Sequence, residues 1–522
     1  MVKCDKEALR CRQEGNKQYT RKQFQVALKL YNESIRSCQF GDPHYFYAMG
    51  NKSALLFETK QFKQSKDIIE FIYTVETFLG LFESKKKYIE KLNNRLQSCD
   101  EQLTSVSVAK ESASTEIGLS KGPFIYSALT TDTSSTVGRC VFTSANLKPN
   151  ETLFCVKPFT AVLGSPFWAS HCYTCFKYIK DSIVVPCNGC SEVQFCSASC
   201  FKENIVHQNH ECSEIEFMKE IGLFHLGTSV IFKFHINDKL GEVFNIYEQN
   251  CEVHLHPCSL SDPELEITSL FSSSKARQKF YKSNLDFLQT IFDKLFSNSS
   301  FVNVTSDLIS RTLSAITCQM MMNASTVMYY DRDACSNVAI GSGIYPAIAK
   351  MNHSCYTNTV CLFNGTAATV KTTQNIALGS ELLNSYGVDF ESVNKHFRQE
   401  HLKSQYDFDC RCAACVNDWK RNDHMRVLVC ETCSTTVYVS SPDVKCSKCS
   451  SRVGNTLVHV KILEEEYNKA FECFQQKEYQ KGLQILTCSM EQIKVLQMPD
   501  PLLLDWNDLV KKFIVLVFNE DI

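Results

Sequence analysis

Short-range pairing of cysteines constrains this chain more than any other feature. Cys172, Cys175, Cys187, Cys190, Cys196, Cys200 and Cys212 crowd into one stretch with two- and three-residue gaps. Cys410, Cys412 and Cys415 follow, then the pairs Cys430/Cys433 and Cys446/Cys449. A two-residue gap lets both sulfurs of one turn face a single ion, so this spacing reads as zinc. Disulfides are the competing use of 28 cysteines. The N-terminal residues from Met1 to Arg12 are charged and helical in pattern, without an apolar run suited to a signal peptide or a membrane span. An intracellular location is therefore expected, where thiols stay reduced. The dense cluster and the four-cysteine ribbon read as closed structural sites, which leave no open position for catalysis.

At 522 residues the chain can bury several cores, and about three or four domains are expected. A net charge of −2 provides no bulk attraction to nucleic acid. The cysteine-rich segments also lack dense Lys/Arg faces, so neither a nucleic-acid nor a membrane partner is expected.

The first hundred residues carry helical periodicity with an internal repeat. Gly15, Tyr19, Phe24 and Ala27 recur as Ser53, Phe57, Phe62 and Ser65, each 38 residues later. Alternating small and aromatic residues suit antiparallel helix pairs that pack closely. The pattern resembles two tetratricopeptide repeats, with Phe71 to Leu96 expected to form a capping helix. Residues 104–121, rich in Ser, Thr and Ala, read as a linker. Two short strands are expected at Val137–Phe142 and Leu147–Phe154. Residues 213–315 read as helical, with Leu285, Leu288, Ile291, Phe292 and Leu295 as a core stripe. Tyr329 to Asp333 read as a surface loop. A charged helix is expected after Tyr386, running to Lys403. The tail, 457–522, reads as helical, and Tyr467, Ala470, Phe474, Tyr479 and Gly482 hint at a further repeat-like hairpin.

Polar residues packed into Asn352-His353-Ser354-Cys355 sit badly in an ordinary core, because buried polar groups need partners. This stretch and Glu381-Leu382-Leu383-Asn384-Ser385-Tyr386 resemble the two signature segments of SET-domain lysine methyltransferases. The cysteine cluster resembles a MYND finger, including Phe195 before Cys196. Together with the helical repeats, the order of motifs resembles the SET and MYND domain-containing methyltransferases. The resemblance implies an α+β multidomain fold: a β-rich split SET domain with an inserted MYND zinc finger, flanked by α-helical repeat-like regions. The implied divisions are repeats at 1–103, linker at 104–121, SET parts at 122–165 and 316–388, and MYND at 166–212. Between them lies the helical insert 213–315; a post-SET zinc segment (389–417), a ribbon (418–456) and the helical tail (457–522) follow.

The resemblance further implies ligand sets. Cys172, Cys175, Cys196 and Cys200 would share one zinc; Cys187, Cys190, Cys212 and a histidine would hold a second. The family places that histidine one helical turn before the last cysteine, where this chain has Gln208, flanked by His207 and His210. His207 is expected, with His210 as the alternative, because a ligand two residues from Cys212 would point off the common face. Cys355 would complete a post-SET zinc with Cys410, Cys412 and Cys415. Cys430, Cys433, Cys446 and Cys449 would hold a fourth ion.

By the same resemblance the chain is an S-adenosylmethionine-dependent protein-lysine methyltransferase of histone or non-histone proteins, cytoplasmic and nuclear. Tyr386 and Tyr406 would be catalytic, bordering methyl transfer and the lysine channel. Arg139, Asn323, Asn352, His353, Tyr386 and Phe408 would contact the cofactor. The MYND and repeat regions would bind peptide or protein partners. Thr357 and Cys140 stand where the family has proline and glycine. They favour the alternative, an adaptor that keeps the SET fold without useful catalysis.

Overall fold

The structure is a computed structural model. It describes residues 3–82, 85–107, 124–125, 129–134, 138–249, 267–270, 274–297, 301, 304–332, 334–439 and 444–520. The chain divides into two compact units. The first comprises residues 1–119, 159–320 and 339–344; the second comprises 120–158, 321–338 and 345–522.

The first unit begins with two helical hairpins, Asp5–Thr20 with Phe24–Ser37, and Pro43–Glu58 with Phe62–Thr74. Each reverses through a lysine in the left-handed region, Lys22 at φ 59° and Lys60 at φ 63°. The repeated aromatic pairs close the two turns edge-on, Tyr19 with Phe24 at 5.8 Å and Phe57 with Phe62 at 5.3 Å. The repeated small residues sit where the helices touch. A Cβ on Gly15 would lie 2.7 Å from the Tyr31 ring, and Ser65 Oγ donates to the Ser53 carbonyl at 2.8 Å. The single capping helix expected over Phe71–Leu96 is instead the end of the fourth helix followed by Glu76–Phe82 and Lys86–Ser107. That last helix takes in Thr104 to Ser107, while 108–121 of the expected linker lie outside the described residues.

These hairpins pack on the cysteine-rich segment of the same unit. Asn32 Nδ2 donates to the Lys180 carbonyl at 2.7 Å, Tyr45 Oη to Val184 at 3.0 Å and Gln39 Nε2 to Asn188 at 3.2 Å. Lys52 is fully buried on Pro43–Glu58, and its ammonium has no hydrogen-bond partner among the described residues. Burial pulls its pKa down to about 7, against the opposing pull of Asp181.

Beyond the cysteines, the helices Phe224–Ile236, Leu240–Gln249, Ser274–Ser283 and Leu285–Ile291 form most of the described insert. Its stripe is narrower than expected. Leu288, Ile291 and Leu295 are buried, Phe292 is half-buried, and Leu285 is 46% exposed because it opens its helix rather than continuing a face.

In the second unit a four-stranded sheet runs in the order Phe124–Ile125, Thr152–Val156, Ala367–Thr372, Thr359–Asn364. The strand Gly138–Thr143 pairs with Leu129–Ser134 rather than with Thr152–Val156, so the two expected strands enter different sheets. Tyr329 to Asp331 belong to the strand Ser325–Asp331 instead of a loop, and Asp333 is outside the described residues. Their alternating β-formers outweigh the charged Asp-Arg-Asp run that suggested a turn. The helix expected after Tyr386 starts only at Lys395, where Asn394 Oδ1 caps the Phe397 N–H, and it ends at Tyr406.

The tail helices Gly454–Gln475 and Tyr479–Cys488 repeat the N-terminal device, with Lys477 at φ 61° in the turn. Pro501–Glu520 closes the core: a Cβ on Gly482 would lie 2.2 Å from the Phe513 ring. Among the described residues no helix is long and apolar enough to cross a membrane.

Candidate functional site

The segment that carries Tyr386 is held from two sides within the second unit. On one side the Leu382 N–H donates to Val141 at 2.7 Å and the Gly379 N–H to Thr143 at 2.8 Å. On the other, Asn352–His353 runs parallel to Leu383–Asn384, with Asn352 opposite Leu383 and His353 opposite Asn384. Polar side chains complete the crossing. Asn358 Nδ2 donates to the Glu381 carbonyl at 2.8 Å while its Oδ1 accepts from the Leu383 N–H at 2.8 Å. The buried asparagine thus replaces a strand's two backbone groups, which explains why polar residues are stable here.

Asn352 Nδ2 donates to Glu381 Oε1 at 2.8 Å, with Cys140 Sγ 3.2 Å away. The sulfur stands at the position where the family resemblance expected a glycine. The Tyr386 N–H donates to His353 Nδ1 at 3.1 Å, and the Tyr386 hydroxyl to the Met351 carbonyl at 3.0 Å. Burial pulls the His353 pKa down to about 4, so the ring is neutral at pH 7 and Nδ1 is free to accept. Tyr386 packs against Tyr406 at 4.7 Å between ring centres and against Phe408 edge-on at 6.3 Å. Burial raises the Tyr406 pKa, keeping that phenol protonated. Asn352, Tyr386, Tyr406 and Phe408 are all half-buried, each keeping some exposure.

Asn323 ends the helix Ser306–Asn323, and the Met321 carbonyl two residues earlier accepts from Gln405 Nε2 at 3.0 Å. Arg139 lies on Gly138–Thr143, but its side chain is outside the described ones.

Four sets of donors converge, each with its ligand atoms within 4.8 Å of one another: Cys172, Cys175, Cys196, Cys200; Cys187, Cys190, His207, Cys212; Cys355, Cys410, Cys412, Cys415; and Cys430, Cys433, Cys446, Cys449. Individual separations include 3.6 Å for Cys175–Cys196, 3.6 Å for Cys187–Cys212, 3.5 Å for Cys355–Cys415 and 3.5 Å for Cys433–Cys446. A tetrahedron with Zn–S bonds of about 2.3 Å has edges of about 3.8 Å. The donor sets therefore fit zinc in chemistry and in size.

His207 enters the second set through a π-turn, His207–Glu211, in which the Cys212 N–H bonds to the His207 carbonyl at 2.8 Å. The wider turn brings residues five apart onto one face and absorbs the residue by which His207 misses the α-helical spacing. His207 Nε2 lies 3.3 Å from Cys187 Sγ. His210 instead stacks on Phe232 at 4.4 Å with planes 4° apart.

Several contributors escaped the sequence reading. Glu211 is buried and accepts from Tyr173 Oη at 3.0 Å, with His225 Nε2 at 3.2 Å and His207 Nδ1 at 3.7 Å. It is a carboxylate behind the histidine of the second donor set, of the kind that fixes ring orientation where such a histidine binds metal. Arg398 is buried and directs Nη2 toward Cys415 Sγ at 3.7 Å, while Nη1 donates to the Val393 carbonyl at 2.6 Å. The signal for Arg398 was its place one turn before Leu402 on the face that Tyr406 ends.

The SET domain family matches residues 138–387, which contain both halves of this crossing. This part of the chain is thus similar to a SET domain. A curated relative, protein-lysine N-methyltransferase SMYD4 of Mus musculus, is 40% identical over 99 residues, covering 18% of this chain and 12% of that protein. Histone-lysine N-methyltransferase ASHR1 of Arabidopsis thaliana is 28% identical over 55% of this chain and 54% of its own length. N-lysine methyltransferase SMYD2 of Gallus gallus is 24% identical over 53% of this chain and 57% of its own. The chain thus spans about half of the ASHR1 and SMYD2 relatives and a smaller part of SMYD4.

Proposed function

We propose that the chain is an S-adenosylmethionine-dependent protein-lysine N-methyltransferase. The observation that carries this reading is the anchoring of Tyr386. Its backbone is tied to His353, its hydroxyl to Met351, and its ring stands against Tyr406 and Phe408. The names of the SMYD4, ASHR1 and SMYD2 relatives support the same activity.

The residues present fit the cofactor. A half-buried asparagine, strand backbone at Asn352–His353 and three aromatic rings would bind an adenosyl amino acid. Asn352, His353 and Phe408 would hold it, and the family resemblance adds Asn323 and Arg139 as candidates. Bound S-adenosylmethionine supplies a methyl group on a sulfonium. Tyr386 and Tyr406 exclude water from the approaching lysine, which favours its neutral, nucleophilic amine. The Met351 carbonyl fixes the direction of the Tyr386 hydroxyl, so alignment is set before reaction. The carbonyl and hydroxyl dipoles also favour the positive charge at the reacting centre.

In the same reading the first two donor sets form a MYND finger with two zinc ions, the third is the post-SET zinc and the fourth a zinc ribbon. The helical hairpins, tetratricopeptide-like, offer peptide-binding surfaces beside the finger. Cytoplasmic and nuclear location accompanies this reading, and imaging of a tagged chain tests it.

Calorimetry with S-adenosylmethionine on the zinc-loaded chain, followed by labelled methyl transfer to cell proteins, is the test. Cofactor binding and labelled lysine are expected. Binding without transfer would favour the adaptor, and failure to bind cofactor would refute the proposal.

A further inference from the structure

The helix Lys395–Tyr406 carries an aromatic series that the proposed mechanism uses only at its inner end. Phe397 is 50% exposed and lies parallel to His401, with ring centres 6.4 Å apart and planes at 8°. His401 meets Tyr406 edge-on at 6.2 Å, and Tyr406 meets Tyr386 at 4.7 Å. Residues 397 and 401 are one turn apart and so share a face. The series therefore runs unbroken from solvent to the anchored tyrosine.

A second observation ties its outer part to the site. Gly387, at φ 92°, turns the chain directly after Tyr386, and a Cβ placed there would lie 3.9 Å from His401 Nε2. His401 thus borders the turn that presents Tyr386. An isolated exposed phenylalanine needs no explanation; one that continues the lysine-facing rings outward has a place in substrate binding.

Resting on the methyltransferase reading, we propose that Phe397 and His401 form the outer wall of the lysine channel. Phe397 then receives the substrate residue that flanks the target lysine, and arginine is the side chain it fits. A guanidinium is flat, weakly hydrated and drawn to the face of an exposed ring. Asp407 and Asp409, with side chains 58% and 71% exposed, follow the opposite end of the helix, about 15 Å along its axis from Phe397. Lys403 lies 3.7 Å and 3.5 Å from their carboxylates, so the acidic pair is partly neutralised and the ring face carries the preference.

A peptide library with a central lysine and randomised neighbours tests this with the zinc-loaded chain and labelled S-adenosylmethionine. Methylated products are expected to be enriched in arginine beside the lysine by about 3- to 10-fold. Phe397→Ala should lose that enrichment while calorimetry finds the parent's cofactor affinity, and Phe397→Tyr should retain it. Methylation without arginine enrichment, or unchanged enrichment in Phe397→Ala, overturns the assignment of the wall and leaves the methyltransferase reading standing. Cofactor binding with no methylation of any library member overturns both.

Discussion

Loss of the zinc proposed at Cys355, Cys410, Cys412 and Cys415 should weaken S-adenosylmethionine binding, although none of these sulfurs is assigned to the cofactor. Cys412→Ser is the perturbation. Cys355 Sγ lies 3.3 Å from His353 Nε2, and the opposite nitrogen of that ring accepts from the Tyr386 N–H. Phe408 and Tyr386 pack on a core built from Cys355, Cys410 and Cys415 with Val388, Phe390 and Leu402. Freeing Cys355 therefore puts at risk one backbone hydrogen bond, worth about 1 kcal/mol, and the aromatic contacts of Phe408, worth about 1–2 kcal/mol. The combined penalty of roughly 2–3 kcal/mol corresponds to about 30- to 150-fold in cofactor affinity. Calorimetry with parallel zinc analysis measures it. Cys430→Ser is the control, because it should disturb the separate donor set and leave cofactor affinity unchanged. A Cys412→Ser chain that has lost its zinc yet binds cofactor like the parent would refute the coupling.

Tyr386→Phe keeps the ring and removes the hydroxyl bound to Met351, so methyl transfer should fall by about 100-fold while cofactor affinity holds; unchanged turnover would remove Tyr386 from its role. His207→Ala should release one zinc equivalent and His210→Ala none, as read by metal analysis, and the reverse result would move the ligand. Lys52 holds its proton to about 10.5 when unfolded and to about 7 when buried, so the unfolded chain binds more protons between those values. Stability of the first unit should therefore rise with pH across that window. Lys52→Met should flatten the rise and add up to about 4 kcal/mol near pH 7 in urea unfolding; a parent with no such rise would contradict the burial of a charged ammonium.

The convergence of the donor sets was legible because short spacing determines what a turn can gather. Cys172 and Cys175, or Cys446 and Cys449, can hardly avoid one another. Cys355 lies more than fifty residues before its partners, but their three-ligand pattern called for a fourth. The crossing behind Tyr386 was less legible. Nothing in Val141 to Thr143 indicates that it hydrogen-bonds a segment following Gly379, since such pairing is determined by tertiary packing rather than by local pattern. The π-turn at His207 was hidden for a related reason: its single extra residue matters only once Cys212 is fixed in space. Leu285 misled because periodicity reports a face without reporting where the helix begins.

The crossing also governs when the pocket can exist. Val141 and Leu382 are hydrogen-bonded neighbours with about 240 residues between them, and a ribosome adding roughly 5–20 residues per second needs about 10–50 s to cover that interval. The first two donor sets and the insert leave the ribosome during that delay, early enough to mature before the strand Leu383–Asn384 is made. Tyr386 thus reaches its place among the late events of synthesis. A nascent chain halted before Glu381 would hold its first two donor sets and no crossing, so the segment that carries Tyr386 is ordered only once both halves of the crossing can meet.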